Sequence, residues 1–175
     1  MEFSETKIAG VYVVELNQIG DERGFFARSF CSREFADFGL EDNFVQCNVS
    51  YNQTAGTLRG LHFQIDPARE AKLVRCTQGA IVDVALDLRE SSPTYLQHVM
   101  VELSAKNRKA LYVPKHFAHG FQTLVDDTEA TYQVSEFYTP ESERGLRFDD
   151  PNLAIDWPRE ITHMSQKDAS WPYLQ

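Results

Sequence analysis

This 175-residue chain is short of cysteine, of basic residues and of long apolar runs. Each shortage excludes something. The three cysteines, Cys31, Cys47 and Cys76, are odd in number and form no C-x-x-C pair. Neither a disulfide framework nor a zinc knuckle fits them, and a reducing cytosol does. Lys and Arg number 17 against 26 Asp and Glu, a formal net charge of -9. A surface that acidic repels nucleic acid and anionic lipid, so neither is an expected partner. No apolar run approaches membrane-spanning length, and Met1-Glu2-Phe3-Ser4-Glu5 offers no basic or apolar leader. Repeats, linkers, low-complexity tracts and a phosphate-cradling glycine loop are missing too. The expectation is a soluble cytoplasmic protein with a single domain over residues 1–175.

What is present is aromatic and alternating. Twelve Phe and seven Tyr favour a β-rich fold or an aromatic-walled pocket. Val82, Val84, Leu86 and Leu88 share one parity, and Asp83, Asp87 and Arg89 the other. Val99, Val101 and Leu103 alternate with His98, Met100 and Glu102. Turn signals at Gln78-Gly79, Ser91-Ser92-Pro93 and Lys106-Asn107 separate these runs. Many short strands at such spacing predict a mainly β sandwich, jelly roll or barrel. One early helix is expected, capped by Ser32, with Phe35 and Phe38 on one face and Gly39 ending it. The last thirty residues, with Pro151, Pro158 and Pro172, read as an irregular segment packed over the sheet.

The most informative stretch is Arg59-Gly60-Leu61-His62-Phe63-Gln64. Histidine can take and return a proton at neutral pH, and a guanidinium fits phosphate oxygens. If Leu61 and Phe63 face an apolar layer, His62 and Gln64 face a cavity or solvent. Arg59 shares the parity of Leu61, so a regular strand would separate it from His62. Gly60 could host a bulge that re-aims one of them. A lone histidine is otherwise most simply satisfied by backbone groups.

Other groups carry two readings each. Lys72 opens the run Leu73-Val74-Arg75-Cys76, where an ammonium can reach inward and stabilise charge on an oxygen. Arg75 and Arg59 add positive charge nearby, and Arg23 follows Asp21-Glu22 in an earlier turn. Arg69, between Asp66 and Glu70, reads as a solvated face. Tyr132 shares parity with Ala130 and Val134, as a core tyrosine would, or as a phenol donating a proton opposite a base. Tyr138, before Thr139-Pro140, could stack on a planar ring. His116 and His119 invite a metal, but with no H-x-H pair or placed Glu that is the minority reading. Asp168 is a tail charge or the residue that orients a histidine.

Together these segments resemble the dTDP-4-dehydrorhamnose 3,5-epimerase family of nucleotide-sugar epimerases. The resemblance runs through Asp21-x-Arg23-Gly24-x-Phe26, Gln46-x-Asn48-x-Ser50, Leu58 to Gln64 and Lys72-Leu73-Val74-Arg75. It continues through Asp83-Val84-x-x-Asp87-x-Arg89, Phe117-Ala118-His119-Gly120-Phe121, Tyr138-x-Pro140-Glu141-x-Glu143, Ile155-Asp156-Trp157-Pro158 and Lys167-Asp168.

The resemblance implies a cupin-type jelly roll with a few short helices, acting as a homodimer with neither metal nor cofactor. The implied substrate is a nucleotide diphosphate 4-keto-6-deoxyhexose, inverted at C3 and C5 through an enolate. By resemblance His62 is the base, Asp168 polarises it, Tyr132 returns the proton and Lys72 stabilises the enolate. Arg23 and Arg59 would hold the diphosphate. Phe26, Gln46, Asn48, His119, Tyr138 and Glu143 would line the sugar and base sites.

Two positions depart from the family pattern. Arg28 stands near the nucleotide base where an acidic residue is usual, and His116 replaces a glycine. Alternatives are a single-centre epimerase, a metal-dependent cupin isomerase or oxygenase, and a sugar-binding cupin without catalysis.

Overall fold

The structure, a computed structural model, describes residues 1–174, so the last residue of the expected domain, Gln175, lies outside it. The strands run β1 (Glu2–Glu5), β2 (Tyr12–Glu15), β3 (Ile19–Asp21) and β4 (Gly24–Phe26), then helix α1 (Ser32–Asp37). There follow β5 (Gln46–Asn52), β6 (Leu58–Gln64), β7 (Lys72–Gln78), β8 (Ala80–Asp87) and β9 (His98–Ser104). The chain continues through β10 (Ala110–Val113), β11 (Phe117–Thr123), β12 (Thr128–Val134), β13 (Glu143–Gly145) and a single turn α2 (Gln166–Ala169). A six-stranded sheet, β1-β2-β10-β7-β12-β5, faces a five-stranded one, β13-β6-β11-β8-β9. The named strand pairs are antiparallel. This is a jelly roll, one of the architectures expected from the alternation, and of the cupin type that the resemblance implies.

Period-two patterning explains the core. Val74, Leu111, Val113 and Ala130 of the larger sheet meet Ile81, Ala85, Val99, Leu103, Phe117 and Phe121 of the smaller. One expected feature is inverted. On β8 the parity carrying Asp83 and Asp87 faces this inner layer, and the apolar parity, Val84 and Leu86, faces outward. It stays dry because the C-terminal segment crosses it: Leu146, Leu153, Ile155 and Trp157 pack on Leu61, Val84, Leu86 and Ala118. Asp87 is satisfied by Arg89, Ser92 and Thr94, whereas Asp83 is bonded through one oxygen, to His119, and its other oxygen has no partner among the described residues.

The outer face of the larger sheet is covered by α1. Phe35, fully buried, packs against Val14, Leu73, Ala110 and Tyr112. Burying such a ring contributes about 1.5–3 kcal/mol. The helix starts one residue earlier than expected: Cys31 is its N-cap, without a side-chain hydrogen bond, and Ser32 lies inside the first turn. Gly39 does follow the helix at φ +68°, and the Gly39 N–H closes on the Ala36 carbonyl at 2.9 Å. Phe38 lies half exposed and stacks on Phe3. Among the described residues, no helix is long and apolar enough to cross a membrane.

Candidate active site

β6 supplies the centre of the site, and its register is broken where the sequence was inconsistent. His62 pairs with His119 of β11 and Arg59 with Phe121, so Gly60 and Leu61 together oppose only Gly120. This bulge moves Arg59 onto the face of His62, and both line a cavity of about 740 Å³ between the sheets. Leu61 turns into the outer apolar layer, as expected. The bulge needs two glycines. A Cβ on Gly60 would lie 2.6 Å from Gly120 Cα, and one on Gly120 would lie 2.7 Å from the Arg59 carbonyl. Gly60 also sits at φ +118°, which an L side chain rarely adopts.

The C-terminal segment delivers the partner of His62. The Leu58 N–H donates to the His163 carbonyl at 2.9 Å, which lays the tail alongside β6. Ser165 caps α2 by accepting the Asp168 N–H at 3.0 Å. The carboxylate of Asp168, 4% exposed, then accepts from His62 Nε2–H at 2.6 Å. Burial pushes the Asp168 pKa up, but the bonds from His62 and the Gly60 N–H outweigh it and hold the carboxyl below its usual range. An ionised Asp168 fixes the imidazole tautomer with Nδ1 unprotonated, which makes Nδ1 the basic atom.

The opposite wall comes from the larger sheet. Register pairs Tyr132 of β12 with Asn48 of β5 and Val74 of β7, and Val134 with Gln46 and Lys72. Lys72, Tyr132, Gln46 and Asn48 therefore share the inner face. They line a second cavity of about 360 Å³ with His62, Glu70, Tyr138 and Glu143. Lys72, 8% exposed, is paired through Nζ with Glu70 at 3.1 Å. The Tyr132 phenol is pushed up from its ordinary value by burial and by the charge of Glu70, with Arg59 opposing. It is therefore a neutral donor at any physiological pH. Tyr138 donates its hydroxyl to Glu143 at 2.9 Å, and Lys167 donates to the other Glu143 oxygen at 2.5 Å.

His119 is buried on the first cavity's wall, with Nε2 bonded to Asp83 at 2.7 Å. His116 stands in a turn at φ +69° against Arg69, so the two histidines do not converge. Arg59 is held by Asn52 Oδ1 at 2.7 Å and the Tyr51 carbonyl at 3.4 Å, neutral partners that leave its charge for an anion.

Three expected site residues lie elsewhere on the chain. Arg23 sits at the β3–β4 turn, bonded to Asp21 and fully exposed, because that ribbon pairs with neither main sheet. Phe26 and Arg28 line a separate cavity of about 330 Å³ with Ile19 and Glu34, and Arg28 lies 3.6 Å from Glu34. Arg75, also expected near Lys72, points to the carbonyls of Ser29 and Arg108, because it has the opposite parity on β7. Burial without a carboxylate lowers it to about 10.

Sequence reasoning missed two groups. Glu70, beside Arg69 on the expected solvated face, is largely enclosed and paired with Lys72. The signal was its i, i+2 spacing from Lys72, which on extended chain puts both on one side. Trp171 packs its ring on Gly145, where a Cβ would lie 2.2 Å away, and meets the His62 ring edge-on at 6.3 Å.

An imidazole held by a buried carboxylate thus lines one cavity with a phenol and an ammonium. The family profile for dTDP-4-dehydrorhamnose 3,5-epimerase matches residues 5–175. The chain belongs to this family. A dTDP-4-dehydrorhamnose 3,5-epimerase from Sinorhizobium fredii is 46% identical over 99% of this chain and 90% of its own length. The crystal structure of the Bacillus anthracis dTDP-4-dehydrorhamnose 3,5-epimerase, with TDP and PPi bound, superposes with TM-score 0.95. It is 44% identical and covers 99% of each chain. A Legionella pneumophila dTDP-6-deoxy-D-glucose-3,5-epimerase in complex with dTDP-4-keto-L-rhamnose gives TM-score 0.92 at 41% identity, covering 98% of this chain and 92% of that one. The chain is an isomerase of the carbohydrate epimerase kind.

Proposed function

We propose that this chain inverts C3 and C5 of a dTDP-linked 4-keto-6-deoxyhexose, with the roles of its side chains set by the geometry above. The C4 carbonyl acidifies the hydrogens on both neighbouring carbons. His62 Nδ1 takes one of them, and the C–H electrons move into the ring as a C4 enolate. The Lys72 ammonium stabilises the enolate oxygen. Tyr132 donates its phenolic proton to the carbon from the opposite face, which inverts the centre, and the enolate electrons form the new C–H bond. Solvent then takes the proton from His62 and returns one to Tyr132, so the cycle closes without redox change. A placed base contributes roughly two to four powers of ten in rate. A fixed cation at the enolate contributes roughly two to three more.

Arg59 is assigned to the diphosphate, and Gln46, Asn48, His119, Tyr138 and Glu143 to the sugar. The β3–β4 ribbon carries exposed Ile19, Phe25 and Phe26, the last 70% exposed, and β5 is a sheet edge with Val49 and Tyr51 outward. Such surfaces support a homodimer in which a second copy presents Arg23, Phe26 and Arg28 to the nucleotide. The two sheets share one core, which supports reading residues 1–175 as a single domain. Three unpaired cysteines suit the cytoplasm, where such a substrate would be made.

One observation carries the reading. His62, held at 2.6 Å by Asp168, lines one cavity whose opposite wall carries Lys72 and Tyr132. Proton NMR of dTDP-4-keto-6-deoxyglucose with the protein in heavy water tests it. Deuterium should enter at C3 and C5 and fail to enter with His62→Ala. A native chain that exchanges neither position sinks the assignment.

A further inference from the structure

Glu70 lines the smaller cavity together with Lys72 and Tyr132 and has no part in the proton transfers described. Its side chain and that of Lys72 are each 10% exposed, and the ion pair spans 3.1 Å. The other carboxylate oxygen accepts from Gln64 Nε2 at 3.1 Å. Gln64 is itself locked: its two Nε2 hydrogens are shared among Glu70 and the Ala68 and Phe137 carbonyls, and its Oε1 accepts the Thr139 N–H at 2.7 Å. Glu70 is thus a fixed point, anchored through Gln64 to the backbone of Ala68, Phe137 and Thr139. A lysine stem is flexible, and an ammonium with one immobile partner is confined to a small volume. Glu70 also faces the Tyr132 phenol, where a negative charge opposes loss of the phenolic proton.

We propose that Glu70 is a positioning residue for the epimerisation: it aims the Lys72 ammonium at the enolate oxygen. This role rests on the epimerase reading. It differs from mere neutralisation of a buried lysine, because neutralisation would affect stability and leave the turnover and pH profile alone.

The test compares Glu70→Ala, Glu70→Gln, Lys72→Ala and the double variant Glu70→Ala/Lys72→Ala in the heavy-water assay. Glu70→Ala should lower kcat about tenfold to a hundredfold with KM changed by no more than about threefold. Glu70→Gln, whose amide oxygen still accepts from Lys72, should return kcat to within about fivefold of native. Both single variants should move the alkaline limb of the kcat profile to lower pH. The charge facing Tyr132 is then gone, while Arg59, Lys72, His62 and Glu143 around the same space are unchanged. In the Lys72→Ala background the Glu70→Ala loss should disappear, since its target is absent.

A direct readout of the pair is the rate at which an amine-acylating reagent modifies Lys72, followed by peptide mass spectrometry. It should rise several-fold in Glu70→Ala. If Glu70→Ala fails to fold, the alkaline limb of Glu70→Gln decides alone. An active native chain with unchanged limb and unchanged labelling overturns the role of Glu70 by itself. A native chain that exchanges no deuterium overturns the epimerase reading, and this role with it.

Discussion

Arg59 and His62 open into one cavity although their positions on β6 have opposite parity, because Gly60 and Leu61 together face the single residue Gly120. The pairing of an anion holder with a base is thus a property of a bulge. Gly60 and Gly120 make it possible by letting two backbones approach more closely than any Cβ allows.

Gly60→Ala is the sharpest probe of that bulge. The added methyl would meet Gly120 Cα at 2.6 Å on a backbone with φ +118°. The expected cost is about 1–3 kcal/mol of stability from the strained conformation. Turnover at a temperature where the variant remains folded should fall further than stability does, since His62 and Arg59 no longer share a face. Thermal melts beside kcat measurements check this; a variant with native kcat would show that the bulge is dispensable.

Asp168→Asn should leave the fold intact and lower kcat by about two to four powers of ten, because the amide no longer fixes the imidazole tautomer. The acid stability profile should change as well. Asp168 is held below the ordinary carboxylate value of 3.8, so its contribution is present above that pH and is lost as pH falls through the folded value. The native chain should therefore lose stability below pH 3.8 more steeply than the Asn variant. Denaturant titrations between acid and neutral pH measure the difference.

Tyr132→Phe separates proton removal from proton return. His62 would still form the enolate and exchange deuterium from its own face, but inversion should fall by about two powers of ten or more. In the native enzyme the alkaline limb of kcat should lie above pH 10.0, since burial and Glu70 raise the phenol above that ordinary value. NMR that scores exchange and inversion separately reads both effects. Equal loss of the two in Tyr132→Phe would remove the phenol from the proton-return role.

The β3–β4 ribbon can be tested by complementation. Arg23→Ala/Phe26→Ala should weaken substrate binding about tenfold or more at limiting substrate, through a lost charge-assisted contact and a lost ring. Mixing and co-refolding that variant with His62→Ala should restore activity, because one site of each mixed dimer then carries native residues from both copies. Sedimentation would report the dimer. No recovery in verified mixed dimers would mean that each chain uses its own ribbon.

Much of this protein was legible in its residues. Alternation announced a β sandwich, and the parity of Leu61 and His62 sorted one into an apolar layer and the other into a cavity. Tyr132, Lys72, Gln46 and Asn48 lie on one face because strand periodicity is local and survives into the fold. Even the bulge near Gly60 was signalled, by an inconsistency between Arg59 and His62.

What only the tertiary structure decided depends on chain segments far apart. Val84 and Leu86 face outward under a C-terminal cover, and Asp83 faces in, because burial is set by which layer arrives on each face. Glu70 reads as a surface charge until Gln64 and Lys72 enclose it. Asp168 meets His62 across 106 positions of sequence because the tail bonds to β6 and Ser165 caps one turn of helix. Period and residue type are carried by neighbours along the chain. The partner of a charge is decided by folding, since a buried ion is stable only where a distant segment supplies its counterpart.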